Sequence, residues 1–256
     1  MTLLRIEGLT KHFGGLTAVD GLDMEVPEGS IHALIGPNGS GKTTTFNMIS
    51  SMLKPSSGRI FFDGRNLTNK SPDAVAAFGI TRTFQQISLF RTMTVLQTTM
   101  VGAHLRKKTG LVGVLLRTRR FQEQENGIRQ KALESLEVVG LAKMEDRMAT
   151  ELPYGQQRLI ELARALAVGP RLLLLDEPVA GMNPKEIDFM RQLVLKIRSR
   201  GVTILLVEHN MDLVMDISDK VTVISSGKKI AEGLPREVRS APVVVENYLG
   251  RGINVA

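Results

Sequence analysis

The 256-residue sequence contains no cysteine, which excludes disulfide scaffolds, Cys-ligated zinc or iron–sulfur sites and thiol catalysis. It also lacks long apolar runs: stretches such as Leu172–Leu175 and Ile204–Val207 fall far short of the roughly 18 residues that span a bilayer. The N-terminal stretch MTLLRIEGL has no secretory h-region, and no internal repeat or low-complexity tract is evident. With 43% hydrophobic and 23% charged residues, the sequence predicts a water-soluble, cytoplasmic globular protein.

Positive charge is concentrated in one segment. Lys and Arg total 33 against 26 for Asp and Glu, a balance of +7. Residues 104–131 carry most of it, with two acids against eight basic residues: Arg106, Lys107, Lys108, Arg117, Arg119, Arg120, Arg129 and Lys131. Because the rest of the chain is nearly neutral, nucleic acid is not the expected partner. The segment fits anionic lipid headgroups or an acidic protein partner, or it is a solvated helical surface.

Short apolar stretches alternate with helical patterns along most of the chain. Strands are predicted over 3–13, 22–29, 31–35, 58–66, 172–175, 202–207, 221–225 and 228–233, with an Asp63-Gly64 turn inside the fourth. Helices are predicted over 42–55, 155–168, 184–200, 210–217 and 242–249. Between Pro72 and about Leu152 no strand is predicted, and this middle is interpreted as a helical insertion. The alternation predicts an α/β fold with a mainly parallel sheet and an N-terminal antiparallel part.

A glycine-rich turn between the strand at 31–35 and the next helix predicts a phosphate-binding loop. Its pattern is G-x-x-x-x-G-K-S/T, and its candidate ligands are Gly36, Asn38, Gly39, Ser40, Gly41, Lys42, Thr43 and Thr44. Glycines let backbone N–H groups turn toward phosphate oxygens, and the helix start adds a partial positive charge. Lys42 would bind the β- and γ-phosphates, Thr43 would ligate Mg²⁺, and Thr44 would bind a phosphate oxygen. The alternative is an ordinary glycine turn that caps a helix.

Two carboxylates, Asp176 and Glu177, stand at the carboxyl end of the apolar run 172–175. Open α/β sheets bind their ligands at this edge. Asp176 is therefore the candidate Mg²⁺ residue, and Glu177 is the candidate group that orients or deprotonates an attacking water. The alternative is a simple strand-ending turn.

Together with these motifs, four further stretches resemble the ATP-binding subunits of ABC transporters over nearly the whole chain. They are LPYGQQR (152–158), Gln85 in RTFQQ, AGMN (180–183) and His209 in VEHN. The resemblance implies one ABC ATPase domain over 1–256 with a P-loop NTPase (RecA-like) core formed by 1–84 and 155–256. It also implies a helical subdomain over 85–154, with a basic insertion at about 104–131.

The resemblance also implies roles for single residues. Phe13 would stack on adenine, Gln85 would sense Mg²⁺ and join Glu177 in catalysis, and His209 would contact the γ-phosphate as a third catalytic residue. The helix start that carries Tyr154, Gly155 and Gln156 would bind the ATP held by the opposite subunit of a dimer. A core phenylalanine and a surface glutamine are the alternatives for Phe13 and Gln85.

The sequence departs from the family pattern at two positions. Pro153 stands where the signature usually has serine, so it supplies neither a hydroxyl nor an N–H, and Gly155 becomes the better phosphate ligand. Asn183 stands where the loop after the catalytic glutamate usually has aspartate. Neither departure affects Lys42, Asp176 or Glu177, so ATP hydrolysis is still predicted.

The motif set most resembles the longer of the two ATPase types of branched-chain amino acid importers. This resemblance implies a heterodimer with a second ATPase, two membrane permease subunits, an indirect link to a solute-binding protein, and a peripheral position on the cytoplasmic face of the membrane. The chain alone would form a nucleotide-dependent homodimer. Two alternatives stay open: the ATPase of an export system such as lipopolysaccharide export, and a soluble ABC ATPase that acts on nucleic acid.

Overall fold

The computed structural model describes residues 1–83, 89–104 and 119–246. The chain forms two compact units, the first from 1–78 and 174–256 and the second from 79–173. The predicted helical subdomain, 85–154, lies inside the second unit. Half of the predicted basic insertion, residues 105–118, falls outside the described residues, and so does Gln85.

The elements follow an α/β order. The strands are β1 (Thr2–Phe13), β2 (Leu16–Pro27), β3 (Ile31–Ile35), β4 (Ser57–Phe62), β5 (Arg65–Asn66), β6 (Ile80–Arg82), β7 (Leu172–Asp176), β8 (Thr203–Val207), β9 (Lys220–Ser225) and β10 (Lys228–Gly233). The helices are α1 (Lys42–Ile49), α2 (Pro72–Phe78), α3 (Val95–His104), α4 (Arg119–Val138), α5 (Tyr154–Ala167), α6 (Pro184–Ser199), α7 (Met211–Ile217), α8 (Pro235–Ser240) and α9 (Pro242–Val244). The predicted α/β class is confirmed.

The first unit contains an antiparallel sheet in the order β2-β1-β4-β5. Both β2 and β4 pair antiparallel with β1. The turn between β4 and β5 is the predicted Asp63-Gly64 pair, and both residues have positive φ, 51° and 72°. That conformation is the one a tight two-residue hairpin requires.

A second sheet of the first unit has the order β10-β9-β3-β8-β7. Its central strand β3 runs parallel to both neighbours, with Ile31 opposite Ile204 and Ala33 opposite Val221. Every residue of β3, β7 and β8 is buried, as expected for parallel strands covered on both faces. The carboxyl ends of β3, β7 and β8 therefore lead into the loops that carry the predicted site.

The second unit is mainly helical, with α3 packed against α4 and α5. A Cβ at Gly102 would lie 2.0 Å from the carbonyl oxygen of Arg164, so α3 and α5 approach as closely as glycine allows. Ala103, Ile128 and Ala167 form the buried contact among these helices. In the part of the chain that the structure describes, no helix is both long enough and apolar enough to cross a bilayer.

The structure corrects three sequence-based predictions. Strand β6 lies where no strand was predicted, because three residues are too few to show a periodic pattern. Long-range pairing defines it instead. Just before the strand, the Gly79 oxygen accepts from the N–H groups of Arg171 (2.9 Å) and Leu172 (3.0 Å). Helix α1 ends at Ile49 rather than near Pro55, since Ser51 takes positive φ (56°). Helix α8 was not predicted, and residues 247–249 of the predicted terminal helix lie outside the described residues.

Candidate functional site

The loop between β3 and α1 requires glycine at two positions. A Cβ at Gly36 would lie 2.0 Å from the Ile224 carbonyl oxygen, and one at Gly41 would lie 2.5 Å from the Ala18 carbonyl oxygen. Gly41 also has φ of 106°, in the left-handed region that favours glycine, and it caps α1. The loop is thus held against the ends of β9 and β2, as a rigid backbone cradle requires.

Hydrogen bonds fix this loop from both sides. The Ser40 N–H donates to the Pro37 oxygen (3.2 Å), and the Ser40 oxygen accepts from the Gly227 N–H (3.0 Å). Ser40 Oγ is buried and has no hydrogen-bond partner among the described residues. Because buried hydroxyls are nearly always paired, this unpaired Ser40 hydroxyl fits a donor to an anion that binds in the loop.

Lys42 is the first residue of α1, is 6% exposed, and extends its ammonium group back into the loop. Its Nζ donates to the carbonyl oxygens of Gly36 (2.8 Å) and Pro37 (2.9 Å). Burial lowers the pKa of the Lys42 ammonium below its usual value, and the charges of Glu177 and Asp176 oppose that shift. The structure therefore brings the predicted lysine and both predicted carboxylates together. Asn38, Gly39 and Thr43 are exposed on the same loop and helix start, and Thr44 is half-buried.

Asp176 ends β7 and is 3% exposed, whereas the Glu177 side chain is partly exposed. Glu177 has φ of 48°, unusual for a residue with a side chain, and such strain concentrates at functional sites. Its N–H donates to the Val207 oxygen (2.8 Å), which ties it to the end of β8. Its Oε1 lies 3.1 Å from His209 Nε2, so the two predicted catalytic side chains are in contact.

The loop after Glu177 folds back on itself and leads into α6. The Ala180 N–H donates to the Glu177 oxygen (3.2 Å). Asn183 Oδ1 accepts from the N–H groups of Lys185 (3.0 Å) and Glu186 (3.1 Å), and Glu186 Oε2 accepts from the Asn183 N–H (2.9 Å). This capping box needs only a side-chain oxygen, so Asn183 performs it without the charge of the family's aspartate.

A further functional residue was missed by the sequence reasoning: Glu208, which precedes His209 and is 3% exposed. Its carboxylate accepts hydrogen bonds from the backbone of both loops that carry Glu177 and His209. A carboxylate directly after the apolar run Ile204–Val207 was the available signal.

In the second unit, Tyr154, Gly155 and Gln156 form the first turn of α5, as predicted. Pro153 is the N-cap, with φ −54° and ψ 152°, so the helix starts directly after it. Tyr154 is 49% exposed, and its hydroxyl accepts from Arg158 Nη2 (3.0 Å). Because α5 begins at Tyr154, the N–H groups of its first turn have no acceptor within the helix, and such groups can bind an anion.

Phe13 ends β1 and is 49% exposed, so its ring is available for stacking. Lys11 Nζ lies 5.2 Å from the centre of this ring. Gln85, predicted to sense Mg²⁺, lies outside the described residues. No group of three or more His, Asp or Glu side chains within the described ranges could hold a metal alone. A cation here would have Thr43 and Asp176 as protein ligands, together with phosphate oxygens, as Mg²⁺ commonly does.

Comparisons with known proteins agree with this geometry. The family described as ABC transporter matches residues 19–180. The chain is 42% identical to the high-affinity branched-chain amino acid transport ATP-binding protein BraF of Pseudomonas aeruginosa, over 97% of this chain and 98% of that protein. It is also 42% identical, with the same coverage, to LivG of Escherichia coli K12, which carries the same description. A crystal structure of the ADP conformation of an ATP-binding cassette superimposes with a TM-score of 0.85 and 36% identity, covering 98% of this chain and 100% of that one.

Proposed function

The chain belongs to the ABC transporter family, and from this premise we propose that it is the ATP-hydrolysing subunit of an importer for branched-chain or related amino acids. The observation that supports the proposal most is the site itself. The Lys42 ammonium lies in the glycine loop, within reach of the charges of Glu177 and Asp176, and Glu177 contacts His209. The 42% identity to two branched-chain amino acid transport proteins over nearly the full length supports the solute class.

ATP would bind with its phosphates in the loop 36–44. Backbone N–H groups, the α1 start and the orphan Ser40 hydroxyl supply donors, and Lys42 supplies a positive charge. Lys42 would exchange its hydrogen bonds to the Gly36 and Pro37 oxygens for bonds to phosphate oxygens. The negative phosphate would then stabilise the charged ammonium, which burial disfavours. The exposed ring of Phe13 would stack on adenine, because stacking needs only an aromatic face.

Mg²⁺ would be held by Thr43, by Asp176 and, by resemblance, by Gln85. When bound, the cation neutralises phosphate charge and helps to stabilise the charge that develops during transfer. Asp176 fits this role because it ends β7 at the edge of the sheet where the phosphate loop lies, and carboxylate oxygens are ligands that Mg²⁺ prefers.

Glu177 would accept the proton of the attacking water, and His209 would contact the γ-phosphate. Glu177 Oε1 lies 3.1 Å from His209 Nε2, so both groups could act on the same γ-phosphate and its attacking water. General-base assistance of this kind contributes about 10²–10⁴-fold to rate. Glu177 has a strained φ of 48° just beyond the end of β7, and such strain concentrates at functional sites.

The complete site would require two ATPase subunits. The helix start at Tyr154, Gly155 and Gln156 of one subunit would bind the γ-phosphate held by the loop of the other. We infer that the second ATPase is non-identical in the assembled importer and that this chain alone forms a nucleotide-dependent homodimer. Closure of the pair at the cytoplasmic face of the membrane would drive two permease subunits, which a solute-binding protein serves.

Replacing Glu177 by Gln tests the hydrolytic assignment. Equilibrium titration should show ATP affinity within about twofold of wild type, while steady-state turnover should fall by about 10²–10⁴-fold. Glu25→Gln, on the exposed face of β2, is the control and should turn over ATP normally. Normal turnover by the Glu177 variant would show that another group is the base. Leucine uptake by vesicles that contain the full importer tests the solute class, and uptake of unrelated solutes alone would refute it.

A further inference from the structure

Glu208 makes three hydrogen bonds that no catalytic role yet explains. It directly follows β8, and the residue is 3% exposed. Its Oε1 accepts from the Val179 N–H at 3.0 Å. Its Oε2 accepts from the N–H groups of His209 at 2.7 Å and Asn210 at 3.0 Å. One buried carboxylate thus binds the backbone of two separate loops.

Those two loops carry the two side chains proposed to act on the γ-phosphate and the water. Val179 lies two residues after Glu177, and His209 is the neighbour of Glu208 itself. Apart from Glu208, the loops are joined by the side-chain contact of Glu177 with His209, and the backbone of Glu177 is joined to Val207. Glu208 therefore adds a link between Val179 in one loop and the backbone of His209 and Asn210 in the other.

We propose that Glu208 is a positioning residue for ATP hydrolysis, which holds the Glu177 loop and the His209 loop at the separation that hydrolysis needs. The proposal rests on the roles proposed above for Glu177 and His209. A carboxylate suits this task because it only accepts hydrogen bonds, and all three partners are backbone donors. A glutamine of the same shape would turn an NH₂ group toward at least one N–H donor, which separates the loops. A displacement of about 1 Å in a catalytic group costs about 10²-fold in rate.

The Glu208→Gln variant is the first test, with thermal unfolding measured alongside kinetics. We expect kcat for ATP hydrolysis to fall by about 10–100-fold while ATP affinity, by titration of the purified chain, stays within about twofold. Glu232→Gln is the matched control. Glu232 also accepts three hydrogen bonds in the same unit, from Thr222, Lys220 and Lys229, and it contacts neither loop. Its variant should lower thermal stability and leave kcat within about twofold of wild type.

A double substitution separates positioning from a purely structural role. If Glu208 acts through the two loops, its loss should matter little once His209 is removed. The total kcat loss of the Glu208→Gln, His209→Ala double variant should then be much smaller than the product of the two single losses. Losses that multiply would overturn the proposal, because they would show independent effects.

Glu208→Asp keeps the proposal testable if the glutamine variant does not fold. Its carboxylate is one methylene shorter and can still reach the adjacent His209 and Asn210 amides but not Val179 as well. We expect a folded protein with a kcat loss of about 3–30-fold. Wild-type kcat in either folded variant would overturn the proposal.

The His209→Ala variant distinguishes a failure of the site assignment from a failure of this inference. If His209→Ala itself hydrolysed ATP normally, the site assignment would fail. A slow His209→Ala beside a normal Glu208→Gln would refute this inference alone.

Discussion

Acidification should destabilise the protein through His32, a histidine buried in the strand that leads into the phosphate loop. His32 is fully buried in β3, and its Nε2 lies 2.8 Å from Thr222 Oγ1. Burial lowers its pKa from 6.5 to about 4; the charge of Glu232 opposes this shift, and those of Lys220 and Lys229 add to it. The folded chain therefore keeps His32 neutral where the unfolded chain takes up a proton.

The sign and size of the effect follow from that difference. Between pH 6.5 and about 4 the unfolded state binds more protons, so stability falls as the pH falls. Lowering the pKa from 6.5 to about 4 corresponds to about 3.4 kcal/mol in total, of which about 2 kcal/mol is lost between pH 7.5 and 5.0.

Urea unfolding at pH 7.5 and 5.0 measures this loss. Wild type should lose about 2 kcal/mol more than His32→Gln over this interval, because the glutamine does not titrate. His12→Gln changes an exposed histidine and should keep the pH dependence of wild type. An equal pH dependence in wild type and His32→Gln would refute the reasoning, whatever the absolute stabilities.

Two further predictions concern the loops of the site. Gly36→Ala should weaken ATP binding by more than about tenfold in equilibrium titration, since its Cβ would lie 2.0 Å from a strand carbonyl; unchanged affinity would show that the loop can move aside. Asn183→Ala should lower the free energy of unfolding by about 1 kcal/mol, whereas Asn183→Asp should not, because either Asn or Asp can cap α6; equal losses in chemical denaturation would exclude the capping role.

Much of the fold could be predicted because the relevant signals are local. The glycine loop, the mainly apolar strand before it, the apolar run 172–175 before Asp176, and the Asp63-Gly64 turn each combine a residue pattern with a direct physical cause. The structure brings Lys42, Asp176, Glu177 and His209 together as those patterns indicate.

The remaining features depend on distant partners. Strand β6 is defined by long-range pairing, as in the bonds that the preceding Gly79 oxygen accepts from the Arg171 and Leu172 N–H groups. The role of the Glu208 carboxylate becomes visible only when folding brings Val179 beside it. Helix α8 did carry a local signal, since Pro235 opens it and Glu237 Oε2 accepts from the Leu234 N–H at 2.8 Å. The spacing of Pro235 and Glu237 is typical of a helix start.

The central claim is that one ATP is held by the loop of one subunit and the α5 start of another. ATP hydrolysis by a mixture of Lys42→Ala and Gly155→Asp chains tests it most directly. Each variant alone should be inactive, because one lacks the phosphate-binding ammonium and the other places a carboxylate against the phosphate. Mixed dimers contain one intact site out of two, so an equal mixture should recover about a quarter of the wild-type rate. No recovery on mixing, or activity in either variant alone, would contradict a site shared between subunits.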